Sequence, residues 1–242
     1  MFIFIRLLLG HLIGDFPLQF NKIYNLKHRG LIGIIPHALI VMSCFILLTL
    51  PYLNLPGLWG FIFFLSITHL FQDSIKIGYK GIRYRLLFYL LDQVSHVGLV
   101  SLVFVTNIKN IKPIQKAGLI WSLYNNDLLA IYIIAIIIAT YNGYFMMRNL
   151  KNNLLGRGHI YSGFEKWYGM FERAILVSIF LLDKYIFLFI SGVLILRPII
   201  FILGRKRFML NQEFISGSET LLSWLIGIVT GLFLCFVKHR IS

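Results

Sequence analysis

Histidine and aspartate side chains recur in pairs within the first hundred residues, inside stretches that are otherwise apolar. The pairs share a spacing of four residues and are His11 with Asp15, His69 with Asp73, and Asp92 with His96. A spacing of four residues places both side chains on one face of a helix. His37 lies alone in a further apolar stretch between the first two pairs. Ionisable groups inside a bilayer are costly and usually mark a functional site, so these seven residues are the first candidates for chemistry.

The side-chain types indicate which metal ions the cluster could bind. Imidazole and carboxylate ligands without thiolates suit zinc, iron or manganese. Seven groups exceed the four ligands of one tetrahedral zinc, so we predict one or two divalent ions, with zinc ahead of iron and manganese. The predicted metal ligands are His11, Asp15, His37, His69, Asp73 and His96. A proton relay or a polar network that joins helices without a metal is the alternative interpretation.

Three further residues are candidates for catalysis at the same cluster. Asp92 is the predicted general base or bridging ligand. Lys76 lies seven residues after His69, and Lys22 lies eleven residues after His11, so both lysines extend the helix faces that carry the pairs. We predict that these two lysines neutralise an anionic head group of the substrate.

The composition limits the class of protein. Hydrophobic residues make up 58% of the 242 residues and charged residues 13%, with a mean hydropathy of +0.81. A soluble domain has roughly 45–50% apolar and about 25% charged residues, so the sequence excludes a soluble globule, a disordered chain and a nucleic-acid-binding protein. The two cysteines, Cys44 and Cys235, provide neither a disulfide framework nor a thiolate metal site. The first residues lack the features of a cleavable signal peptide, so we expect the first apolar stretch to be retained.

The elements that must position the cluster are membrane-spanning helices. A spanning helix needs about 20 apolar residues, and the sequence contains eight candidates: 1–20, 31–50, 57–76, 85–105, 119–147, 168–182, 184–203 and 218–237. We therefore predict an all-α polytopic integral membrane helical bundle of about eight spans. Residues 1–118 would form a four-helix domain with the His/Asp site, and residues 119–242 a C-terminal helical membrane region.

Lysine and arginine are concentrated in alternate loops, which predicts the orientation. Residues 21–30, 74–85, 148–167 and 204–217 are the basic loops. By the positive-inside rule these loops are cytoplasmic and both termini lie outside. At 1.5 Å per residue, all seven cluster groups would then lie roughly 5–17 Å from the cytoplasmic ends of their helices.

The first four spans contain an internal repeat. His11 precedes His37 by 26 residues, and His69 precedes His96 by 27 residues. Each time, a helix with a His-x-x-x-Asp pair is followed by a returning helix with a histidine. This pattern predicts two helical hairpins of the same sense, as in a parallel duplication.

The C-terminal half contains a second set of charged residues in apolar segments. Glu172 and Arg173 begin one predicted span and Arg197 lies in the next. We predict an ion pair between Glu172 and Arg197 that holds the two helices together. The alternative is that Arg173 or Arg197 binds an anionic group of the substrate.

The motifs of the first hundred residues resemble a bacterial integral-membrane family known as domain of unknown function 3307. The residues that carry the resemblance are His11 to Gln19 with Lys22, His37, Thr68 to Lys76, and Asp92 to His96. The remainder resembles an extension that many members carry, with Glu172-Arg173 and Arg197 at its motif positions. The resemblance implies a polytopic His/Asp membrane protein of the bacterial inner membrane. The residue types of the cluster are also similar to those of membrane-bound metal-dependent hydrolases.

These observations favour a metal-dependent hydrolase embedded in the membrane. Its substrate would be a lipid or a lipid-linked ester or phosphoester, reached from the cytoplasmic leaflet. The metal would lower the pKa of a bound water and polarise a phosphoryl or acyl oxygen. The main alternative is a transporter of divalent cations, or of a solute with protons, that uses the same cluster. A di-iron redox enzyme and a non-catalytic scaffold are the further alternatives. We expect membrane lipids, and no nucleic acid, as binding partners.

Overall fold

The computed structural model describes residues 1–27, 29–78, 84–155, 163–182, 186–204 and 217–241, and every regular element within them is helical. The α-helices are α1 Phe2–Asp15, α2 Asn21–Lys27, α3 Leu31–Thr49, α4 Pro56–Gly78, α5 Arg85–Ser101, α6 Leu119–Asn125, α7 Asp127–Ile137, α8 Gly143–Leu155, α9 Gly163–Ile179, α10 Ile186–Gly204 and α11 Gly217–Ile241. A π-helical segment, Ile138–Asn142, joins α7 to α8. The predicted all-α fold is confirmed for these residues.

Five helical stretches are long and apolar enough to cross a membrane. They are Ile32–Tyr52, Pro56–Ile77, Arg85–Val105, Asp127–Asn153 and Gly217–Arg240. These stretches indicate a membrane protein, and they correspond to five of the eight predicted spans. The predicted spans 1–20, 168–182 and 184–203 are not among them in the described part of the chain.

The described residues explain why the predicted spans 1–20 and 168–182 are not among these stretches. Helix α1 has only 14 residues and ends at Asp15, because Pro17 disfavours helical geometry at the preceding residue and has no N–H to continue the helix. Helix α9 has 17 residues and carries Glu165, Glu172 and Arg173, so its polar content exceeds that of an ordinary span. The predicted boundary between spans 168–182 and 184–203 lies outside the described residues.

The chain divides into two compact units, Met1–Ile134 and Ala135–Ser242. The sequence suggested a division after residue 118, but α6 and the start of α7 pack with unit 1. Arg6 of α1 explains this, because it forms an ion pair with Asp127 and donates a hydrogen bond to the carbonyl oxygen of Tyr124. The Arg6 guanidinium also lies 3.9 Å from the ring centroid of Phe2, which favours its burial.

In unit 1, an apolar core and a polar site lie towards different ends of the same helices. The core residues come from the start of α1, the end of α3, the start of α4 and the end of α5, and include Phe2, Ile3, Leu7, Val41, Phe45, Leu58, Ile62, Leu65 and Val100. The histidines and aspartates come from the opposite ends of the same four helices. Burial of apolar side chains at one end therefore fixes the helices that hold the polar groups at the other.

Helix α1 is the most enclosed helix of this arrangement and packs mainly on α3. Eleven of its 14 residues are buried. Gly10 and Gly14 allow the close approach: a Cβ atom at Gly14 would lie 2.8 Å from Cα of Val41, and one at Gly10 would lie 3.3 Å from the backbone of Cys44. Small residues four apart are a common device for close helix contact in membranes.

Unit 2 contains a buried ion pair between its helices. The Arg197 guanidinium of α10 donates to the carboxylate of Glu172 on α9 at 2.9 Å, so the predicted pair is confirmed. Ser223 and Trp224 of α11 also donate to this carboxylate, at 3.0 and 3.2 Å. Because the carboxylate is paired and accepts further hydrogen bonds, its burial is compensated.

Arg173 has a different role in unit 2. Its guanidinium donates to the carbonyl oxygens of Ala139 at 2.6 Å and Thr140 at 3.2 Å, within the π-helical segment, and to Ser223 at 3.0 Å. A π-helical turn interrupts the regular α-helical hydrogen bonds and leaves carbonyl oxygens available. Arg173 therefore stabilises the junction between α7 and α8.

Candidate metal centre

Four ligand atoms converge in unit 1 around the Nε2 atom of His37. This atom lies 3.1 Å from Oδ1 of Asp15, 3.2 Å from Nε2 of His69 and 3.4 Å from Oδ2 of Asp73. Nε2 of His69 is also 3.4 Å from Oδ2 of Asp73. The residues come from α1, α3 and α4, and all four side chains are at least 94% buried. We call these four residues the carboxylate site.

The spacing of Asp15, His37 and His69 could hold a metal ion, and Asp73 lies 3.4 Å from both histidines. Zinc bonds of about 2.0–2.2 Å to nitrogen and oxygen place the ligand atoms of a tetrahedron about 3.3–3.6 Å apart. Four of the six separations in the carboxylate site are 3.1–3.4 Å, and the ligand atoms of Asp15, His37 and His69 all lie within 4.8 Å of one another. The donor set therefore fits a divalent metal ion.

A buried lysine balances part of the negative charge of the carboxylate site. Lys27, the last residue of α2, forms an ion pair with Asp73, and its side chain is 6% exposed. Two carboxylates and one ammonium leave a net charge of −1 when the histidines are neutral. A divalent cation would bring this buried charge to +1, so the site can accept one without a large excess of positive charge.

The remaining histidines lie next to the carboxylate site. The rings of His11 and His96 are stacked with centroids 4.8 Å apart, and the ring of His69 contacts both, at 5.5 and 4.6 Å. A small cavity adjoins these three rings, and Gln72 also lines it. The structure thus brings all six predicted metal ligands into one region, but in two groups, with His69 between them.

Asp92 and Lys76 form an ion pair with each other at the edge of this region. The Lys76 side chain is 35% exposed, whereas that of Asp92 is 6% exposed. The second oxygen of Asp92 lies 3.5 Å from Nδ1 of His96. The pair therefore lies between the exposed surface and the histidines.

The family assignment rests on the same part of the chain. The family model described as "Protein of unknown function (DUF3307)" matches residues 3–124, which is half of the chain. The chain belongs to the DUF3307 family. The match ends within unit 1 and includes every residue of the carboxylate site and its neighbouring histidines. No curated protein and no solved structure is significantly similar to the chain.

One predicted residue of this DUF3307 protein lies away from the cluster. Lys22 is exposed on α2, where we expected it at the rim of the site. A helix that continued beyond residue 20 would have carried Lys22 on the same face as His11, but α1 ends at Asp15 and the chain starts a new helix at Asn21. As a result Lys27, and not Lys22, reaches an aspartate of the site.

Sequence reasoning also missed several residues of the DUF3307 site. Lys27 was assigned to a basic loop, and only the spacing of four residues between buried Ile23 and Lys27 could have indicated its inward face. Gly10 and Gly14 form a small-x-x-x-small pattern that is visible in the sequence. Gln72 lies beside Asp73 in the family motif, but an amide carries no charge and so gave no signal of its own.

Proposed function

We propose that this DUF3307 protein is a metal-dependent hydrolase of a lipid or lipid-linked phosphoester. The observation that supports the proposal most directly is the carboxylate site of this membrane protein. There, Nε2 of His37 lies 3.1–3.4 Å from a second imidazole nitrogen and two carboxylate oxygens. Asp15, His37, His69 and Asp73 would hold the ion. A divalent ion bound there would supply Lewis acidity and lower the pKa of a coordinated water.

The residues around the site would bind and orient the substrate. Lys76 is partly exposed and paired with Asp92, so an anionic head group could compete for its ammonium group. Asp92 would then lose its cationic partner, which would leave its carboxylate available as a proton acceptor. Lys27 keeps Asp73 oriented by its ion pair. Because α4 and α5 carry exposed apolar residues beside Lys76, such as Phe71, Ile75 and Phe88, acyl chains are compatible with this edge of unit 1.

Metal content and lipid turnover of the full-length chain test the proposal together. The protein would be purified in detergent, analysed for transition metals by mass spectrometry, and incubated with a polar lipid extract whose products are identified by mass spectrometry. We expect at least one equivalent of metal and a product that disappears with a chelator and returns with zinc. His37→Ala should lose both the metal and the product.

A histidine outside unit 1 provides the matched control. His239 is exposed on α11, so His239→Ala should change neither metal content nor turnover. A wild-type protein with less than half an equivalent of any transition metal, unchanged by His37→Ala, would contradict the proposal. A metal-replete protein without any lipid product would contradict the hydrolase and retain the metal site.

A transporter is the second candidate, and one observation favours it. The rings of His11, His96, His69 and His37 form a continuous series of contacts that ends on Asp15. Chains of buried histidine and aspartate carry protons in pumps and transporters. Uptake of a divalent cation or of protons by proteoliposomes, without any product from lipid extracts, would select this function.

The membrane arrangement behind the proposal stays a prediction. It consists of eight spans in the bacterial inner membrane, cytoplasmic loops at the basic segments, and two parallel hairpins in unit 1. The site would then face the cytoplasmic leaflet. Labelling of single cysteines introduced into a cysteine-free chain tests it: a cysteine at position 112 should react from outside, and one at position 29 only after permeabilisation.

A further inference from the structure

Four buried polar atoms without a hydrogen bond belong to residues that line one small cavity. They are Nε2 of His11, Nδ1 of His69, Oε1 of Gln72 and Nε2 of His96. The rest of the lining is apolar and consists of Phe45, Leu65, Leu99 and Val100. Buried polar groups in native proteins are nearly always satisfied. A concentration of four unsatisfied atoms therefore marks this cavity as a place where a water, an ion or another polar ligand can bind.

The ring of His96 is oriented as a metal ligand would be. Its Nδ1 lies 2.7 Å from the carbonyl oxygen of Asp92. A carbonyl oxygen can only accept, so Nδ1 carries the proton and Nε2 of the neutral ring has a lone pair. Metal-binding histidines are commonly held in this way, with one nitrogen donating to a backbone carbonyl and the other bound to the ion.

Gln72 is held in place by its amide nitrogen. Nε2 of Gln72 donates to the hydroxyl of Ser95 at 2.7 Å, which leaves the amide oxygen as the acceptor. The site therefore offers two imidazoles and an amide oxygen, all neutral. The charged groups that adjoin it, Lys76 and Asp92, neutralise each other.

The charges near the site decide how a cation could bind. Asp15 also lies near His11, but its charge belongs to the carboxylate site, where Lys27 and the first cation would offset it. A divalent ion among neutral ligands in a low-dielectric interior is strongly disfavoured unless an anion accompanies it. The carboxylate site differs, because its two aspartates outweigh Lys27. The site of His11, His96 and Gln72 should therefore remain empty until an anion arrives.

We propose that His11, His96 and Gln72 bind a second divalent cation, which enters together with a phosphate-type anion. The inference rests on the proposed function, since the phosphate group of the substrate would be that anion. Two ions on either side of His69 would make unit 1 a two-metal centre, a common arrangement for phosphoester chemistry. The anion could come from a lipid phosphate or from free phosphate.

Zinc binding to the full-length protein, measured by equilibrium dialysis in detergent, tests the proposal. One sample contains chloride only, a second contains inorganic phosphate, and a third contains phosphatidic acid in the micelles. We expect one zinc per chain in chloride and two in at least one of the other samples. A second zinc with phosphatidic acid alone would identify a lipid phosphate, and one with inorganic phosphate alone would identify free phosphate.

The results that would overturn this inference differ from those that would overturn the proposed function. One zinc in all three samples would overturn the second site and leave the first intact. Two zincs in chloride would overturn the requirement for an anion. No zinc in any sample would overturn both proposals.

Two variants assign the second zinc to these residues. Gln72→Met removes the amide oxygen at similar volume and should bind one zinc in every sample, with an unchanged melting temperature for the metal-free protein. Ser95→Ala removes the same hydrogen bond from Gln72 but leaves its oxygen, so it should still bind two. His96→Ala should behave as Gln72→Met does. Two zincs in Gln72→Met and His96→Ala would overturn the assignment.

Discussion

The two site-bearing helix pairs of unit 1, α1 with α3 and α4 with α5, carry the same kinds of ionisable residue but pack differently. Helix α1 has Gly10 and Gly14 immediately before His11 and Asp15, and it lies close against α3. Helix α4 has Thr68 and Gln72 at the corresponding positions before His69 and Asp73, and α4 and α5 make fewer contacts with each other.

The difference in packing separates two environments for similar side chains. Eleven residues of α1 are buried, whereas α5 buries only a stripe that consists of Tyr89, Asp92, His96 and Val100. Asp15 consequently meets His37 inside the carboxylate site, and Asp92 meets the partly exposed Lys76. The comparison shows that a spacing of four residues places two groups on one helix face, while the neighbouring helix decides what they do.

The largest expected effect is the difference in stability between variants of Lys27 and Lys76, the two lysines that pair with aspartates of unit 1. Lys27→Met should lower the stability of the metal-free protein by about 3–5 kcal/mol, because it leaves Asp73 buried without its cation. Lys76→Met should cost at most about 1 kcal/mol, because a partly exposed pair is screened by solvent. Thermal unfolding in detergent with a chelator measures both. Zinc should restore much of the stability of Lys27→Met, and equal losses for the two variants would contradict the difference in environment.

The aspartates should differ next in their effect on the metal. Asp15→Asn removes a charged ligand from the carboxylate site, and we expect zinc affinity without phosphate to fall by about 100-fold or more. Asp92→Asn keeps the backbone carbonyl that orients His96, so the same affinity should fall by less than about 10-fold. Zinc titration in competition with a chelator compares them. A larger loss for Asp92→Asn would show that the first zinc ion binds near Asp92 and not in the carboxylate site.

The glycines provide the smallest effect and test the packing alone. Gly14→Ala should destabilise the protein by about 1–3 kcal/mol, because its Cβ would meet the backbone of Val41 at 2.8 Å. Gly98→Ala on α5 has nothing within 4 Å of the added atom and should be neutral or slightly stabilising, since alanine favours a helix by about 1 kcal/mol. Thermal unfolding distinguishes the two. If both variants behave alike, close packing does not set α1 apart from α5.

Much of unit 1 could be predicted because its signals are local. The helices α3, α4 and α5 follow from apolar length, and the shared faces of the histidine–aspartate pairs follow from helical periodicity. The division of the cluster into two groups could not be predicted, because it depends on rotations and distances between helices. Lys27 was missed for the same reason: its burial depends on where α2 begins after the interruption at Pro17.

In unit 2 the sequence indicated the partners Glu172 and Arg197 but not the role of Arg173. A buried charge needs an opposite charge nearby, and two apolar helices offer few possible partners, so the pair could be predicted. The hydrogen bonds of Arg173 to Ala139 and Thr140 depend on a π-helical turn. No residue pattern in that apolar run marks the turn, so only the structure could reveal it.

The amino-acid sequence alone determined that this is a helical membrane protein of the DUF3307 family, with histidine–aspartate pairs on single helix faces, because length, hydropathy and periodicity are properties of each segment by itself. Tertiary structure decided which ligand atoms meet. Glycines that bring α1 against α3, and larger residues on α4, set those distances, and atomic separations near 3 Å depend on how whole helices pack and not on the spacing within any one of them.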